Sequence, residues 1–102
     1  MNTRGKGIIT ERLAEQQLRA QGFLTYRVKG SSRFQKNQDI FGLFDILAVK
    51  PTEIKFIQVK GYKVYKSFYI PFKAFKEDYG NNFSVEVWIK YNRKKEFEVV
   101  VI

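Results

Sequence analysis

The 102-residue sequence contains no cysteine and no histidine. Their absence excludes a disulfide scaffold, a zinc site built on either residue, and any nucleophile activated by histidine. The sequence also lacks the run of roughly 20 apolar residues that a membrane-spanning helix needs. Acidic residues are few, with 10 Asp and Glu against 19 Lys and Arg. Any chemistry must therefore rest on carboxylates, amides, lysines, hydroxyls or a hard metal ion.

The formal net charge of +9 predicts a polyanionic partner. Nucleic acid is the commonest partner of this kind, while an anionic membrane surface and an ordinary basic protein are the alternatives. No apolar stretch of signal-peptide length follows the basic N-terminal residues, so we expect an intracellular, cytoplasmic protein. Apolar residues make up 44% of the chain, enough to bury a core, and the length predicts one domain over residues 1–102.

Hydrophobic periodicity predicts a mixed α/β domain with one central sheet flanked by helices, in the order αβββαββ. Helices are expected at 7–21, where Ile9, Leu13 and Leu18 recur near helical spacing, and at 71–79. Strands are expected at 23–29, 44–50, 54–60, 83–91 and 96–102, the last two joined as a hairpin by a basic turn. Between the first two strands, the polar residues 30–39 have the composition of a ligand-binding loop.

Asp45 interrupts the apolar run of the second predicted strand, which is otherwise typical of a strand covered on both faces. A carboxylate at such a position is costly to bury unless a cation or hydrogen-bond donor pairs with it. Asp45 is therefore a candidate functional residue. A strand end at which the side chain reaches solvent is the alternative.

Gln58 and Lys60 point to the same face of the third predicted strand. If the second and third strands form an antiparallel hairpin around Pro51, Asp45 lies beside Gln58 and Lys60. Carboxylate and amide oxygens suit Mg²⁺ or Mn²⁺. The competing interpretation is an ordinary strand end that faces water.

The pattern of Asp45 followed by Gln58-Val59-Lys60, with residues 46–57 between, resembles the PD-(D/E)xK nuclease motif. It is most similar to that of archaeal and viral or phage Holliday-junction resolvases. The resemblance extends to Glu11-Arg12 in the first helix. It implies a restriction-endonuclease-like fold, a homodimer, and hydrolysis of phosphodiester bonds in branched DNA during recombination and repair, with Mg²⁺ or Mn²⁺ as cofactor.

The resemblance also implies roles for individual residues. Four are expected to be catalytic: Glu11, Asp45, Gln58 and Lys60. The metal ligands would be Glu11, Asp45 and Gln58, with Asp39 as a further ligand or else a turn-capping residue. Lys60 would orient or help deprotonate the attacking water. Residues expected to contact DNA are Arg12, Ser31, Ser32, Arg33, Lys36 and Lys63.

Two positions depart from the family pattern, since Gln58 replaces an acidic residue and Phe44 replaces a proline. Because Gln58 brings no charge, a non-catalytic nucleic-acid-binding module on the same fold is the first alternative. A nuclease of other DNA or RNA, or a subunit of a larger nuclease complex, is the second, and a basic interaction domain with a structural Asp45 is the third. Trp88, Phe68 and Tyr69 are candidates for a dimer interface, with core packing as the competing expectation.

Overall fold

The predicted order of helices and strands is confirmed. The computed structural model describes residues 3–28 and 39–102, with the side chains of the first helix described from Ile9 onward. The helices and strands are α1 (Thr3–Ala20), β1 (Leu24–Arg27), β2 (Ile46–Lys50), β3 (Glu53–Lys60), α2 (Ile70–Tyr79), β4 (Ser84–Ile89) and β5 (Glu98–Val101). Short 3₁₀ turns flank α2 at Lys66–Tyr69 and Gly80–Asn82.

The five strands form one mixed sheet in which spatial order follows chain order. β2 and β3 are the predicted hairpin, with Ile46 opposite Ile57 and Lys50 opposite Glu53. β3 and β4 pair in parallel, because the connection through α2 returns the chain to the end of the sheet where β3 began. The other neighbouring pairs are antiparallel.

α1 packs on one face of the sheet through Thr10, Ala14 and Leu18, which are buried and spaced one helical turn apart. Ile9 and Leu13, which the periodicity grouped with the apolar positions of this helix, are exposed instead. The helix is turned so that Glu15 hydrogen-bonds Thr25 on β1, which points the Ile9 side toward solvent. The core of this face includes Phe23, Ile46, Ala48, Ile57, Val59 and Trp88.

Trp88 is buried, so the expectation of core packing holds for it and the interface expectation is wrong. Its indole Nε1–H donates to Oε1 of the buried Glu86 at 2.9 Å. The other oxygen of Glu86 accepts from the Ser84 hydroxyl at 2.8 Å and lies 3.0 Å from Nζ of Lys55. A buried carboxylate with three partners thus links β3 to β4. Phe68 and Tyr69 are half-buried and pack on the core of the other face.

α2 covers the second face of the sheet only in part. Phe72 of α2 is buried in a cluster with Phe44, Val85, Val87 and Ile89. Over β1 and β2 the same face is open, leaving Leu24 77% and Tyr26 64% exposed. Ile54, Phe41 and Tyr79 continue this exposed region, and we call these five residues the apolar face.

Both outer strands of the sheet expose apolar side chains, since Val99 and Val101 of β5 are also accessible to solvent. No helix in the described ranges is long and apolar enough to cross a bilayer.

Candidate functional site

Asp45 directly precedes β2. It lies at the open end of the β2–β3 hairpin, opposite the turn at Pro51. Its backbone N–H donates to the Ile57 carbonyl at 2.8 Å, and its carbonyl accepts from the Val28 N–H at 2.9 Å. These two bonds fix Asp45 between β1 and β3. Continuing the pairing of Ile46 with Ile57 by one residue sets Asp45 opposite Gln58.

The Asp45 carboxylate bends over the end of β3, where its Oδ2 accepts a hydrogen bond from the Val59 N–H at 3.0 Å. Burial raises the pKa of Asp45 to about 7. The hydrogen bond from Val59 and the charge of Lys60 lower this pKa, while Glu11 and Asp39 raise it further. The carboxyl is therefore close to half-protonated at neutral pH, and a nearby cation would favour its charged form.

Glu11 approaches the same place from α1, where it is half-buried beside Thr10. Burial raises the pKa of Glu11, the positive charge of Arg27 lowers it, and Asp39 raises it. Because Glu11 and Asp39 both affect Asp45 as well, the three carboxyl groups share one electrostatic environment. Like charges held together in this way repel one another, and a bound cation relieves the repulsion.

A cavity of about 340 Å³ opens at this end of the sheet, with Asp39, Gln58 and Lys60 in its wall. Gln58 is buried and Lys60 is half-buried. The Lys60 Nζ lies 5.3 Å from the ring centroid of Phe68, another wall residue, and 5.6 Å from that of Tyr62. Both rings can hold the ammonium group beside the cavity through cation–π attraction.

The donors at this site have the chemistry that Mg²⁺ prefers, namely the carboxylates of Glu11 and Asp45 and the amide oxygen of Gln58. Within residues 3–28 and 39–102, no group of three acidic, His or Cys side chains is placed so that it could hold a metal ion. Mg²⁺ is commonly held by only one or two carboxylates while it keeps water and substrate phosphate as further ligands. The donor set therefore fits this ion.

Arg27 is the residue at this site that the sequence reasoning missed. Its Nε is buried, lies 3.6 Å from Oε1 of Glu15, and forms no hydrogen bond in the described part of the chain. Its charge also lowers the pKa of Glu11. The available signal was the four-residue spacing of Glu11 and Glu15, which puts both glutamates on one side of α1, where a basic residue of the next strand can meet them.

Glu15 anchors the helix that carries Glu11. Its Oε2 accepts from the Thr25 hydroxyl at 2.9 Å and from Arg19 at 3.3 Å. Arg19 Nε also donates to Thr25 Oγ1 at 2.9 Å. This network ties α1 to β1 one turn from Glu11 and so fixes the position of that carboxylate relative to the sheet.

The residues expected to contact DNA have different placements. Arg12 is exposed on α1, next to Glu11. Lys63 is exposed just after β3 and lines a second hollow, of about 530 Å³, together with Arg93 and Lys94. Four others fall outside the described residues: Ser31, Ser32, Arg33 and Lys36.

Comparison with solved structures gives the fold a known counterpart. The chain resembles Hjc from Archaeoglobus fulgidus, described as a Holliday junction resolvase from an archaeal hyperthermophile, with a TM-score of 0.64 and 23% sequence identity. The match covers 94% of this chain and 72% of that chain. No protein-family model and no curated protein matches the sequence. The likeness shows that the chain has a restriction-endonuclease-like fold.

Proposed function

We propose that this protein is a metal-dependent endonuclease that hydrolyses phosphodiester bonds in branched DNA, as a Holliday-junction resolvase. The observation that carries the proposal is the position of Asp45 opposite Gln58, at the end of the strand that ends with Lys60, on a restriction-endonuclease-like fold. The fold it shares with an archaeal resolvase supports branched DNA as the substrate.

In the proposed mechanism, Glu11, Asp45 and the Gln58 carbonyl oxygen would hold Mg²⁺ or Mn²⁺, with Asp39 as a further ligand. When bound, the ion polarises the scissile phosphate and lowers the pKa of a coordinated water. The Val59 N–H keeps the Asp45 carboxylate in a fixed orientation, because it engages one of the two oxygens. Lys60 hydrogen-bonds the attacking water and offsets the negative charge that develops on the phosphate.

The surface around the cavity supports a polyanionic substrate. Lys63 follows β3, and the hollow that it lines with Arg93 and Lys94 extends the positive charge away from the cavity. Contacts from such residues to phosphates give affinity without sequence selectivity, as an enzyme that recognises DNA shape requires. We assign Arg12, Ser31, Ser32, Arg33 and Lys36 to the same role.

A homodimer would give the enzyme two equivalent sites related by two-fold symmetry, one for each strand that is cut. The apolar face supports this part of the proposal. It exposes Leu24, Tyr26 and Ile54 on one side of the sheet, and a contiguous apolar surface of this kind is typical of an interface between proteins.

The test is cleavage of a labelled four-way junction and of a linear duplex of the same sequence, with Mg²⁺, with Mn²⁺ and with a chelator. We expect metal-dependent cleavage of the junction that is lost in Asp45→Ala and in Lys60→Ala. Asp78→Ala is the control for Asp45→Ala, and Lys73→Ala is the control for Lys60→Ala. Each control removes an exposed charge of matching sign from α2 and should cleave like the wild type.

Three outcomes would contradict the proposal at different levels. Binding without cleavage under both metals would instead assign the chain as a non-catalytic nucleic-acid-binding module, the alternative that the neutral Gln58 favours. Preferential cleavage of the linear duplex, or of RNA, would remove the junction specificity but keep the nuclease. Equal activity of wild type and Asp45→Ala would remove the assigned site.

A further inference from the structure

We propose that Tyr62 and Tyr65 form a stacking surface for unpaired nucleic-acid bases beside the candidate catalytic cavity. The inference rests on the proposed function and specifies which part of a branched substrate the protein contacts. The two rings are 62% and 81% exposed, in the connection between β3 and α2.

The rings are accessible because they are not used in the core. Among the described residues, neither Tyr62 nor Tyr65 contacts another aromatic ring, and the ring contact of Tyr62 is with the ammonium of Lys60. Phe41 and Tyr79 are also exposed, but each packs on Phe75, at 5.6 Å and 5.3 Å between ring centroids. Both faces of Tyr65, and the face of Tyr62 opposite the Lys60 ammonium, therefore remain available to a ligand.

The chemistry of the segment fits single-stranded nucleic acid. Its residues alternate between basic and aromatic types, in the order Lys60, Tyr62, Lys63, Tyr65 and Lys66. Proteins that bind unpaired strands combine positive charge for the backbone with aromatic rings on which successive bases stack. Lysines alone would serve paired and unpaired DNA equally, so the exposed rings are what adds a preference for unpaired bases.

The position of the segment links base stacking to cleavage. The Tyr62 ring centroid lies 5.6 Å from Nζ of Lys60, a residue of the cavity wall. Tyr65 directly precedes the 3₁₀ turn Lys66–Tyr69, and its carbonyl accepts from the Phe68 N–H at 2.9 Å. Because Ser67 and Phe68 also line the cavity, we expect a base that stacks here to place its own phosphate near the cavity mouth.

The ligand class is a strand whose bases are unpaired or splayed, as at the centre of an open junction, a gap or a flap. We expect Tyr62→Ala and Tyr65→Ala each to weaken binding to a gapped junction by roughly 5- to 150-fold, the range that loss of one base–aromatic stack produces. Affinity for a fully paired duplex should not change. Tyr→Phe variants keep the ring and should bind like the wild type.

Fluorescence anisotropy in Ca²⁺ measures the affinity for each DNA. In a second measurement, 2-aminopurine replaces a base at the branch point, and its emission reports whether that base is stacked. A salt titration separates the contribution of the aromatic rings to the affinity from that of the lysine charges. Tyr65→Ala should leave the slope of log affinity against log salt unchanged, whereas Lys66→Ala should reduce it by about one. Ile9→Ala removes a comparably exposed apolar side chain from α1 and is the matched control.

Wild-type affinity for the gapped junction in both Tyr→Ala variants would overturn the stacking surface, even if the wild type cleaves junctions. Equal losses on duplex and gapped DNA would overturn it too. If the wild type cleaves nothing but the tyrosine-dependent binding persists, the nuclease proposal fails and the stacking surface stands. A parallel loss on unpaired RNA supports stacking on both kinds of strand, whereas a loss on RNA alone would overturn the DNA assignment.

Discussion

At the scale of single residues, Asp45 is placed where stability and the proposed chemistry oppose each other. Its carboxyl group is half-buried near two other carboxyl groups, and its pKa rises from an ordinary 3.8 to about 7. The charged form that a metal site requires is thus the form that the fold disfavours when no cation is bound. Functional residues are commonly held at such a cost.

The stability of the metal-free protein should therefore depend on pH through Asp45. Between pH 4 and pH 7 the folded protein keeps a proton on Asp45 that the unfolded chain releases, so the free energy of unfolding falls as the pH rises. We expect Asp45→Asn to remove this dependence and to melt at a higher temperature than the wild type at pH 8 in chelator. The check is thermal denaturation from pH 4 to pH 8.

Asp78→Asn, an exposed acid on α2, is the control and should follow the wild-type curve. Melting temperatures of Asp45→Asn that run parallel to those of the wild type across this pH range would show that the Asp45 carboxyl is not perturbed.

In the proposed metal site, Gln58 would limit how strongly the ion is held, because it offers a carbonyl oxygen without a charge. Gln58→Glu adds a carboxylate next to Asp45, so we expect junction cleavage to reach half its maximum at a lower Mg²⁺ concentration, by roughly tenfold. The same variant should melt earlier than the wild type in chelator, since a further buried carboxylate is left without a cation. An unchanged Mg²⁺ midpoint would remove Gln58 from the ligand set.

At the scale of elements, Glu86 connects the site strand β3 to β4. Removal of its charge leaves Lys55 without its buried partner, and breaking such a pair costs about 3 kcal/mol. We expect urea denaturation to show a loss of this order for Glu86→Gln. The double variant Glu86→Leu with Lys55→Met should lose less than the sum of its single changes, because no unpaired charge remains. Strict additivity would show that the two charges do not interact.

The hairpin explains how much of the site could be predicted from the sequence. Alternation along β2 and β3, with a short turn at Pro51, determines their register, so the pairing of Asp45 with Gln58 follows from local information. The position of Glu11 depends on how α1 rotates on the sheet. That rotation is set by Glu15, Thr25 and Arg27, which meet only in three dimensions. Periodicity of apolar residues could not reveal it, and it wrongly favoured Ile9 and Leu13.

At the scale of the whole molecule, the apolar face should hold the proposed dimer together. We expect Leu24→Lys to convert the dimer to a monomer, because the new charge would be buried in the interface. Ile9→Lys introduces the same charge at an exposed apolar position of α1 and should leave the dimer intact. Light scattering coupled to size-exclusion chromatography gives the mass of each variant. A wild-type monomer, or a dimeric Leu24→Lys, would rule out this interface.

The uncovered outer strands also have a consequence for colloidal behaviour. Edge strands with exposed apolar side chains, such as Val99 and Val101 of β5, can pair between molecules, and mutual repulsion at a net charge of +9 opposes this. In a titration with heparin, turbidity should therefore reach a maximum where heparin neutralises the positive charge. Excess heparin should clear the turbidity, and Val101→Lys should lower the maximum. Turbidity that stays flat throughout the titration would exclude this effect. If turbidity does pass through this maximum, the positive charge that we propose attracts nucleic acid also keeps the free protein dispersed.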